Sequence, residues 1–437
     1  MPKKNNARRA RPALAPDVRP REVWAWAMYD FANSGYTTVV ITAIFNAYFV
    51  AVVTEGAVWG TFAWTATLAL SYLLIMLSAP VLGAHVDQHA NKKRWLVLTT
   101  LGCVLSTAAL GLAGPGEVLL ACVLLAVSNF FFGTGENLIA AFLPELARGR
   151  ALGRVSGWGW ALGYIGGLIT LGVCLAYVSA AQARGATAPE FVPVTLYITA
   201  GLFLLTSLPT LLLLKERAQP QPVTGNVAAA AFRRLAQTVR QAMRFADLAR
   251  FLVCLVFYQA GVQAVIALAA IYAEQAMGFK TQETITLILA VNITAALGAL
   301  AFGQLQDRLG HVRTIALTLA GWIATVLIAY SAAGRSEFWI AANLAGLCLG
   351  ASQSAGRALI GYLSPRDRRG EFFGLWGLAV KLSSILGPVT YGLASWLSGG
   401  DHRLAFLITG SYFLVGLLLL ATVNTRRGRR AALRAAA

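Results

Sequence analysis

The sequence predicts an all-α membrane protein with twelve transmembrane helices, arranged as two pseudo-symmetric six-helix bundles. Three observations support this fold class. Of the 437 residues, 57% are hydrophobic and only 12% are charged, which is too apolar for an ordinary soluble domain. Apolar windows of about 20 residues, the length that spans a bilayer, recur twelve times. Short motifs of the first half reappear in the second half after 220 or 221 residues.

The charges outside the apolar windows predict the orientation of the helices. Of the 36 Lys and Arg residues, 30 fall in the two tails or in loops on the same side as both termini. Because positive residues are retained on the cytoplasmic side, we expect both termini and the central loop to lie in the cytoplasm. The expected location of the protein is the cell membrane. The predicted spans are 24–53, 59–84, 94–114, 117–143, 152–179, 191–214, 248–275, 283–305, 312–333, 336–363, 371–398 and 403–424. The predicted domains are a basic tail (1–23), the first bundle (24–214), a linker (215–247), the second bundle (248–424) and another basic tail (425–437).

The net charge of +18 comes from these topology signals, so it does not indicate a nucleic-acid-binding protein. The five Cys residues all lie in predicted spans and the four His residues do not cluster, so the sequence predicts no disulfide, metal site or cofactor. A phosphate-binding Gly-x-x-x-x-Gly-Lys-Ser/Thr run is absent, which gives no support to ATP-driven transport. The expected partners are the lipid bilayer and a small solute, and we expect a monomer.

The repeat is clearest in the loops after the second and eighth spans. Gly83-x-x-x-Asp87 corresponds to Gly303-x-x-x-Asp307-Arg308, and Leu138-Ile139 corresponds to Leu359-Ile360. Two parallel copies of a six-span unit are the layout of the major facilitator superfamily, which the Gly-x-x-x-Asp-Arg loop also resembles. That resemblance implies a conformational latch between the halves, although a plain tight turn is the alternative. The predicted latch residues are Gly83, Asp87, Lys92, Gly303, Asp307, Arg308 and Glu371.

Two further signatures resemble one family within that superfamily. Tyr29-Asp30-x-Ala32-Asn33-Ser34-x-Tyr36 lies in the first span, and Gln353-x-x-x-Arg357 with Glu371-Phe372-Phe373-Gly374 and Lys381 covers the tenth and eleventh. Both are similar to the "unknown major facilitator" family, whose eukaryotic relatives include an autophagy-related vacuolar amino-acid effluxer. The resemblance implies alternating access and makes amino acids or short peptides the first substrate guess. Departures at Gly356, Ala358, Tyr362 and Ala140 weaken that substrate assignment.

Four charged residues lie at least six residues from either end of a predicted span, where a charge is costly and usually marks a functional position. Asp30, Glu136 and Arg357 fall at one depth, and the 221-residue offset makes Glu136 and Arg357 equivalent positions of the two halves. We predict that Arg357 pairs with Glu136, Asp30 or both when the cytoplasmic side is closed. A permanent ion pair and a substrate-carboxylate site are the alternatives. Lys381 is predicted to bond helix carbonyls, or else to bind an anion or exchange a proton.

Polar residues on the four predicted cavity helices favour a hydrated path, although each is also consistent with a simple interhelical hydrogen bond. The predicted substrate or coupling residues are Tyr29, Asp30, Asn33, Tyr36, Asn129, Glu136, Gln259, Gln263, Asn343, Gln353, Arg357 and Lys381. Gly159, Gly163 and Gly167 follow a spacing that favours close helix packing over a bendable helix. The sequence therefore predicts a transporter of small polar solutes, with proton coupling and facilitated diffusion both open. A non-transporting receptor or scaffold is the alternative function.

Overall fold

The computed structural model describes residues 14, 17–146, 151–217, 220, 227–365 and 369–434. Within them the chain is almost entirely helical. The helices are α1 (Pro20–Tyr36), α2 (Phe45–Tyr48), α3 (Gly60–His89), α4 (Lys92–Ala109), α5 (Val118–Ala140), α6 (Leu143–Leu146), α7 (Ala151–Ala183), α8 (Ala188–Leu213), α9 (Val227–Met243), α10 (Ala246–Gln275), α11 (Thr281–Leu309), α12 (His311–Ser331), α13 (Arg335–Leu363), α14 (Arg369–Leu397), α15 (His402–Ala421) and α16 (Thr425–Arg434). Together α1 and α2 form one continuous first span, because the π-helical segments Thr37–Ala43 and Phe49–Val53 extend them to Val53.

Eleven helical segments are long and apolar enough to cross a membrane, counting only the residues that the structure describes. The predicted tenth span corresponds to α13, which is not among these eleven but is 29 residues long. At 1.5 Å per residue it measures about 43 Å, enough to cross the hydrocarbon core. The predicted linker contains one helix, α9, and the predicted second tail contains another, α16.

The packing of the second bundle repeats that of the first. In the first bundle, α1 packs on α7 and α8, and α5 packs on α3 and α4. Their counterparts in the second bundle make the same pairs, with α10 on α14 and α15, and α13 on α11 and α12. The two bundles meet through α3 with α14 and α7 with α11. This arrangement confirms the predicted fold class of two pseudo-symmetric six-helix bundles.

Glycine lets α1 and α7 approach closely. A Cβ atom added at Gly166 would collide with the backbone oxygen of Phe31, and one at Gly163 would lie 2.9 Å from the hydroxyl oxygen of Ser34. The same device recurs in the second bundle, where a Cβ at Gly387 would collide with the backbone oxygen of Ala260. Gly387 is the repeat equivalent of Gly166. The interpretation of the small residues as close-packing positions is therefore confirmed.

At the end of the bundles away from the termini, four helices begin beside a glutamate that accepts a nearby backbone N–H. Glu117 accepts from Gly114 at 2.7 Å, Glu190 from Thr187 at 2.6 Å and Glu283 from Lys280 at 2.8 Å. Glu337 accepts from Ala333 at 2.5 Å. A carboxylate at a helix N-terminus satisfies orphan donors and complements the helix dipole, so these acids are accounted for by capping.

The two halves contact each other directly at this same end. The side-chain amide of Asn46 donates to the backbone oxygen of Ala267 at 3.1 Å, across positions that differ by the 221-residue repeat. The rings of Phe62 and Trp396 stack with centroids 5.1 Å apart. We call these contacts the far-end seal, because they join the halves at the end of the bundles opposite the termini.

Candidate functional site

An ion pair joins the two halves inside the membrane-spanning region. The ammonium of Lys381, on α14, lies 2.9 Å from a carboxylate oxygen of Glu136, on α5. The Glu136 side chain is 48% exposed although it is bonded to the other half, so the pair borders open space. The ammonium also lies 5.4 Å from the ring centroid of Tyr72 on α3. Sequence reasoning did not pair Lys381 with Glu136, because Lys381 is deeper in its helix and reaches the acid only through its long side chain.

Arg357 occupies the position equivalent to Glu136 but is held differently. The carbon of its guanidinium lies 4.8 Å from the ring centroid of Trp160, on α7, and 5.0 Å from that of Trp376, on α14. The planar cation therefore sits between one aromatic ring from each half, an arrangement that favours Arg over Lys. Neither Asp30 nor Glu136 has an oxygen within 4.0 Å of its nitrogens, and all three residues are described. The predicted Arg357 ion pair is absent in this conformation, so its formation in another conformation stays a prediction.

Asp30 lies on α1 within electrostatic range of both Glu136 and Arg357. Its carboxylate contacts α7 at Gly159, where an added Cβ would collide with it. No Lys or Arg whose side chain the structure describes lies within 4.0 Å of this carboxylate, and the Asp30 side chain is half-buried. Asp30, Glu136, Arg357 and Lys381 thus form a cluster of two acids and two bases between the halves, which we call the central charge cluster.

Asn33 lies three residues after Asp30 on the same helix. It is 6% exposed, and both its amide nitrogen and its amide oxygen are buried without a hydrogen-bond partner in the described structure. A buried amide without partners costs free energy, so such a group calls for an explanation, such as a ligand or an ordered water. Asn33 is the one residue of the predicted α1 set with this property.

Two predicted site residues of α1 instead point into the first bundle. The hydroxyl of Tyr29 is hydrogen-bonded to that of Thr100 on α4 at 2.9 Å, and the hydroxyl of Tyr36 to that of Ser128 on α5 at 2.8 Å. Both tyrosines are at most 1% exposed. They share a helix face as their spacing predicts, but that face packs against neighbouring helices. In this conformation both tyrosines form hydrogen bonds between neighbouring helices, and their assignment to the solute path stays a prediction.

The predicted amides also divide between packing and surface positions. The amide of Asn129 donates to Ser71 at 2.5 Å, and that of Gln259 donates to Gln353 at 3.1 Å, so these three residues link neighbouring helices. The amide of Asn343 donates to the backbone of its own helix at Trp339, beside an open, largely apolar groove of about 430 Å³ formed by α13 alone. Asn343 is partly buried in this conformation, and its assignment to the solute path stays a prediction. Gln263 is partly buried on α10, and its assignment stays a prediction.

Four of the seven predicted latch residues have surroundings that the structure does not describe: Asp87, Gly303, Asp307 and Glu371. Gly83 has no atom within 4 Å of an added Cβ, and Arg308 is exposed. Lys92 forms an ion pair: its ammonium nitrogen lies 2.6 Å from a carboxylate oxygen of Glu145 on α6.

A ring of charged residues surrounds Lys92 at the end of the first bundle nearest the termini. Glu216 accepts from the backbone N–H of Lys92 at 2.6 Å, so it caps the N-terminus of α4. Arg217 contacts Glu22 on α1 at 2.8 Å, and its backbone N–H donates to Glu145 at 2.8 Å. Sequence reasoning missed Glu22, Glu145 and Glu216, because they lie in or beside loops, where charged residues are common. The ring joins α1, α4, α6 and the segment after α8.

One family model and several known proteins match most of this chain. The model of the family described as "Vacuole effluxer Atg22 like" matches residues 19–433. The chain is 27% identical over 408 residues to the Uncharacterized MFS-type transporter YxiO of Bacillus subtilis (strain 168), which covers 91% of this chain and 94% of that protein. It is also 27% identical over 209 residues to Autophagy-related protein 22 of Cryptococcus neoformans var. neoformans serotype D (strain B-3501A). That alignment spans 44% of this chain and 38% of the fungal protein.

Solved structures of similar fold are transporters of the major facilitator superfamily. A bacterial homolog of the human lysosomal transporter Spinster, in an inward-facing and unoccupied conformation, has a TM-score of 0.70 at 12% identity, covering 94% of this chain and 98% of that one. The nucleoside transporter NupG has a TM-score of 0.68 at 13% identity, covering 93% and 99%. At such identities the likeness concerns the fold alone, and it confirms the major facilitator fold.

Proposed function

Because the chain belongs to the family described as "Vacuole effluxer Atg22 like", we propose that it moves a small zwitterionic solute across a membrane by alternating access. An amino acid or a short peptide is the first candidate for this solute. The transporter class is common to its relatives and its fold. The observation that carries the solute class is the central charge cluster, which offers two acids and two bases at the boundary between the halves. A solute with one positive and one negative group is complementary to such a cluster.

The contacts of Arg357 and Asp30 support a specific mode of binding. The edge of the stacked guanidinium presents N–H donors in a fork that suits the carboxylate of the solute. No Lys or Arg side chain that the structure describes lies within ion-pair distance of Asp30, which supports its assignment to the solute's ammonium group. Asn33, one turn away, would gain the hydrogen bonds that it lacks. Binding would therefore satisfy three polar side chains that are otherwise poorly compensated.

The proposed transport cycle exchanges ion-pair partners. With the far-end seal formed, Glu136 is bonded to Lys381 and Arg357 is stacked on tryptophan. When the seal opens and the halves close near the termini, the equivalent positions Glu136 and Arg357 approach each other around the pseudo-twofold axis. Glu136 then changes partner from Lys381 to Arg357, which would occlude the site from the side of the termini. Asp30 and Glu136 are the candidate proton carriers if the cycle is proton-coupled.

The excess of Lys and Arg near the termini supports a cell-membrane protein with both termini in the cytoplasm. The family name refers to a vacuole, and solved neighbours include a nucleoside transporter and a D-xylose–proton symporter, so fold likeness does not choose the solute. We propose that the chain works as a monomer, with one central path per molecule.

The experiment is uptake into proteoliposomes across a panel of amino acids, short peptides, nucleosides and sugars, with and without an imposed pH gradient. We expect saturable flux for zwitterions and little for neutral sugars or nucleosides. Stimulation by the gradient would identify proton coupling, whereas gradient-independent flux would identify facilitated diffusion. Preference for a neutral sugar or nucleoside would overturn the proposed solute class. Absence of saturable flux for every solute would favour the receptor or scaffold function.

A further inference from the structure

The helix α16, at the C-terminal end of the described chain, is fixed against the second bundle. Asp247, at the start of α10, accepts two bonds from the guanidinium of Arg427, at 2.6 and 2.7 Å, and one from the backbone of Asn424 at 3.0 Å. These bonds raise the pKa of Arg427 above its ordinary value. Arg429 donates to the backbone of Tyr362 at 3.0 Å, at the end of α13. The helix is therefore a positioned element and does not behave as a free basic tail.

One face of α16 packs against the second bundle, and the opposite face carries exposed arginines. Gly428 and Ala432 are buried, and an added Cβ at Gly428 would meet Leu363 and Asp247. At 100° per residue, Arg426, Arg430 and Arg434 form a stripe on the far side of the helix from these two residues. All three are exposed, and no carboxylate of a side chain that the structure describes lies within 4.0 Å of them. With Arg427 they line an open groove of about 590 Å³.

No carboxylate among the described side chains compensates this stripe. Like charges at i and i+4 repel one another, so three arginines at this spacing weaken the helix unless an anion neutralises them. Guanidinium groups bind phosphate through paired N–H donors, which makes a phosphate-bearing anion the matching ligand. Because the helix is already docked through Asp247 and Tyr362, little ordering is needed when that anion binds.

Two observations favour a lipid headgroup as the source of the phosphate. The membrane span α15 ends at Ala421 and α16 begins at Thr425, so the connecting residues keep the start of α16 within about 10 to 14 Å of the end of the span. Leu433, 46% exposed, lies on the arginine face close to the direction of Arg426. An exposed apolar residue within a basic stripe is typical of a helix at a membrane surface and has no use in binding free phosphate.

We propose that Arg426, Arg430 and Arg434 form a binding site for the phosphate headgroups of anionic lipid in the leaflet on the side of the termini. The site is separate from the central charge cluster and does not depend on the solute proposed above. Phosphatidylglycerol is a suitable probe because its headgroup carries one phosphate and no positive charge.

The test is native mass spectrometry of the full-length protein in detergent, titrated with phosphatidylglycerol. We expect the variant with Arg426→Gln, Arg430→Gln and Arg434→Gln to lose the tightest lipid-binding event, with affinity lower by about tenfold or more. The matched control carries Arg233→Gln, Arg240→Gln and Arg244→Gln, three exposed arginines in and just after α9, and should retain it. A further variant with lysine at the three α16 positions should retain most of the binding, and thermal unfolding checks that each variant is folded.

Equal binding by the glutamine variant and the wild type, or equal loss in both glutamine variants, would overturn the proposal. A second arm adds inorganic phosphate at the lipid concentration. Displacement of phosphatidylglycerol by inorganic phosphate would identify a solution anion as the ligand and would also overturn it. Phosphatidylcholine binding at the same site with the same affinity would show that the site does not select anionic lipid. If the variant with lysine at the three α16 positions is folded but unfolds at a lower temperature, its affinity is measured below that temperature.

Discussion

Positions 136 and 357 are equivalent in the two halves, yet their side chains are held by different forces. Glu136 is half exposed and forms an ion pair with Lys381, whereas Arg357 is stacked between Trp160 and Trp376. An ion pair depends on distance and hydration and can exchange partners, while a stacked guanidinium keeps its orientation and still presents its N–H donors. The repeat therefore places positions 136 and 357 symmetrically, but the side chains at these two positions make different contacts. We interpret Glu136 as the mobile partner and Arg357 as the fixed anchor.

The largest expected effect is the loss of the anchor. Arg357→Ala removes both the stacked cation and the proposed carboxylate ligand, so we expect uptake to fall by about a hundredfold, in keeping with losing about 3 kcal/mol of charged hydrogen bonding. The measurement is initial uptake into proteoliposomes at matched protein content. Arg335→Ala is the control, because Arg335 pairs with Glu283 at the far end of the bundles, and it should transport normally. Normal uptake by Arg357→Ala would remove the anchor from the account.

The next effect separates the mobile pair from a permanent staple. Glu136→Lys alone places two cations together and should reduce both uptake and thermal stability, with uptake lower by about tenfold. Combining it with Lys381→Glu restores an ion pair, so we expect stability to recover while uptake stays low, because the acid is now on the wrong helix. Thermal unfolding and uptake are measured on the same samples. Recovery of both properties in the double variant would indicate a staple.

A smaller effect concerns the unpartnered amide beside Asp30. Asn33→Leu removes buried polar atoms that have no partner, so we expect the free energy of unfolding to stay equal or to rise by about 1 kcal/mol. Uptake should nevertheless decrease, mainly through a higher KM, since the solute loses a hydrogen-bonding group. The readouts are thermal unfolding and the concentration dependence of uptake. A variant that is clearly less stable, with an unchanged KM, would show that Asn33 supports the helix and has no contact with the solute.

The smallest expected effect comes from Tyr29 and Tyr36, whose hydroxyls form hydrogen bonds inside the first bundle. Tyr36→Phe deletes the hydrogen bond to Ser128 and should lower the free energy of unfolding by about 1 kcal/mol. We expect KM to change by less than about twofold, since one buried interhelical bond contributes little to solute binding. A large rise in KM without loss of stability would indicate that Tyr36 contacts the solute, as we expect for Asn33.

The sequence was informative about what depends on local composition and on the repeat. Apolar windows predicted the spans, and the 221-residue offset predicted that Glu136 and Arg357 occupy equivalent positions. The spacing of Tyr29 and Tyr36 predicted a shared face but not its direction, because the rotation of a helix in a bundle depends on all of its neighbours. The Glu136–Lys381 pair and the tryptophans around Arg357 were missed for a related reason. The pair and the contact of Arg357 with Trp160 cross between the halves, so their formation depends on how the two bundles are docked.

The central claim is that a zwitterion binds between the anchored Arg357 and Asp30. The most direct test measures how well three unlabelled compounds inhibit uptake of the best labelled substrate from the panel. The three compounds are the zwitterionic substrate itself, its carboxamide and its N-acetyl form. We predict that the zwitterion competes at least about tenfold better than either analogue. We also predict that Asp30→Asn removes the discrimination against the N-acetyl form, and that Arg357→Ala removes the discrimination against the carboxamide. Equal competition by all three compounds in the wild type would contradict the account.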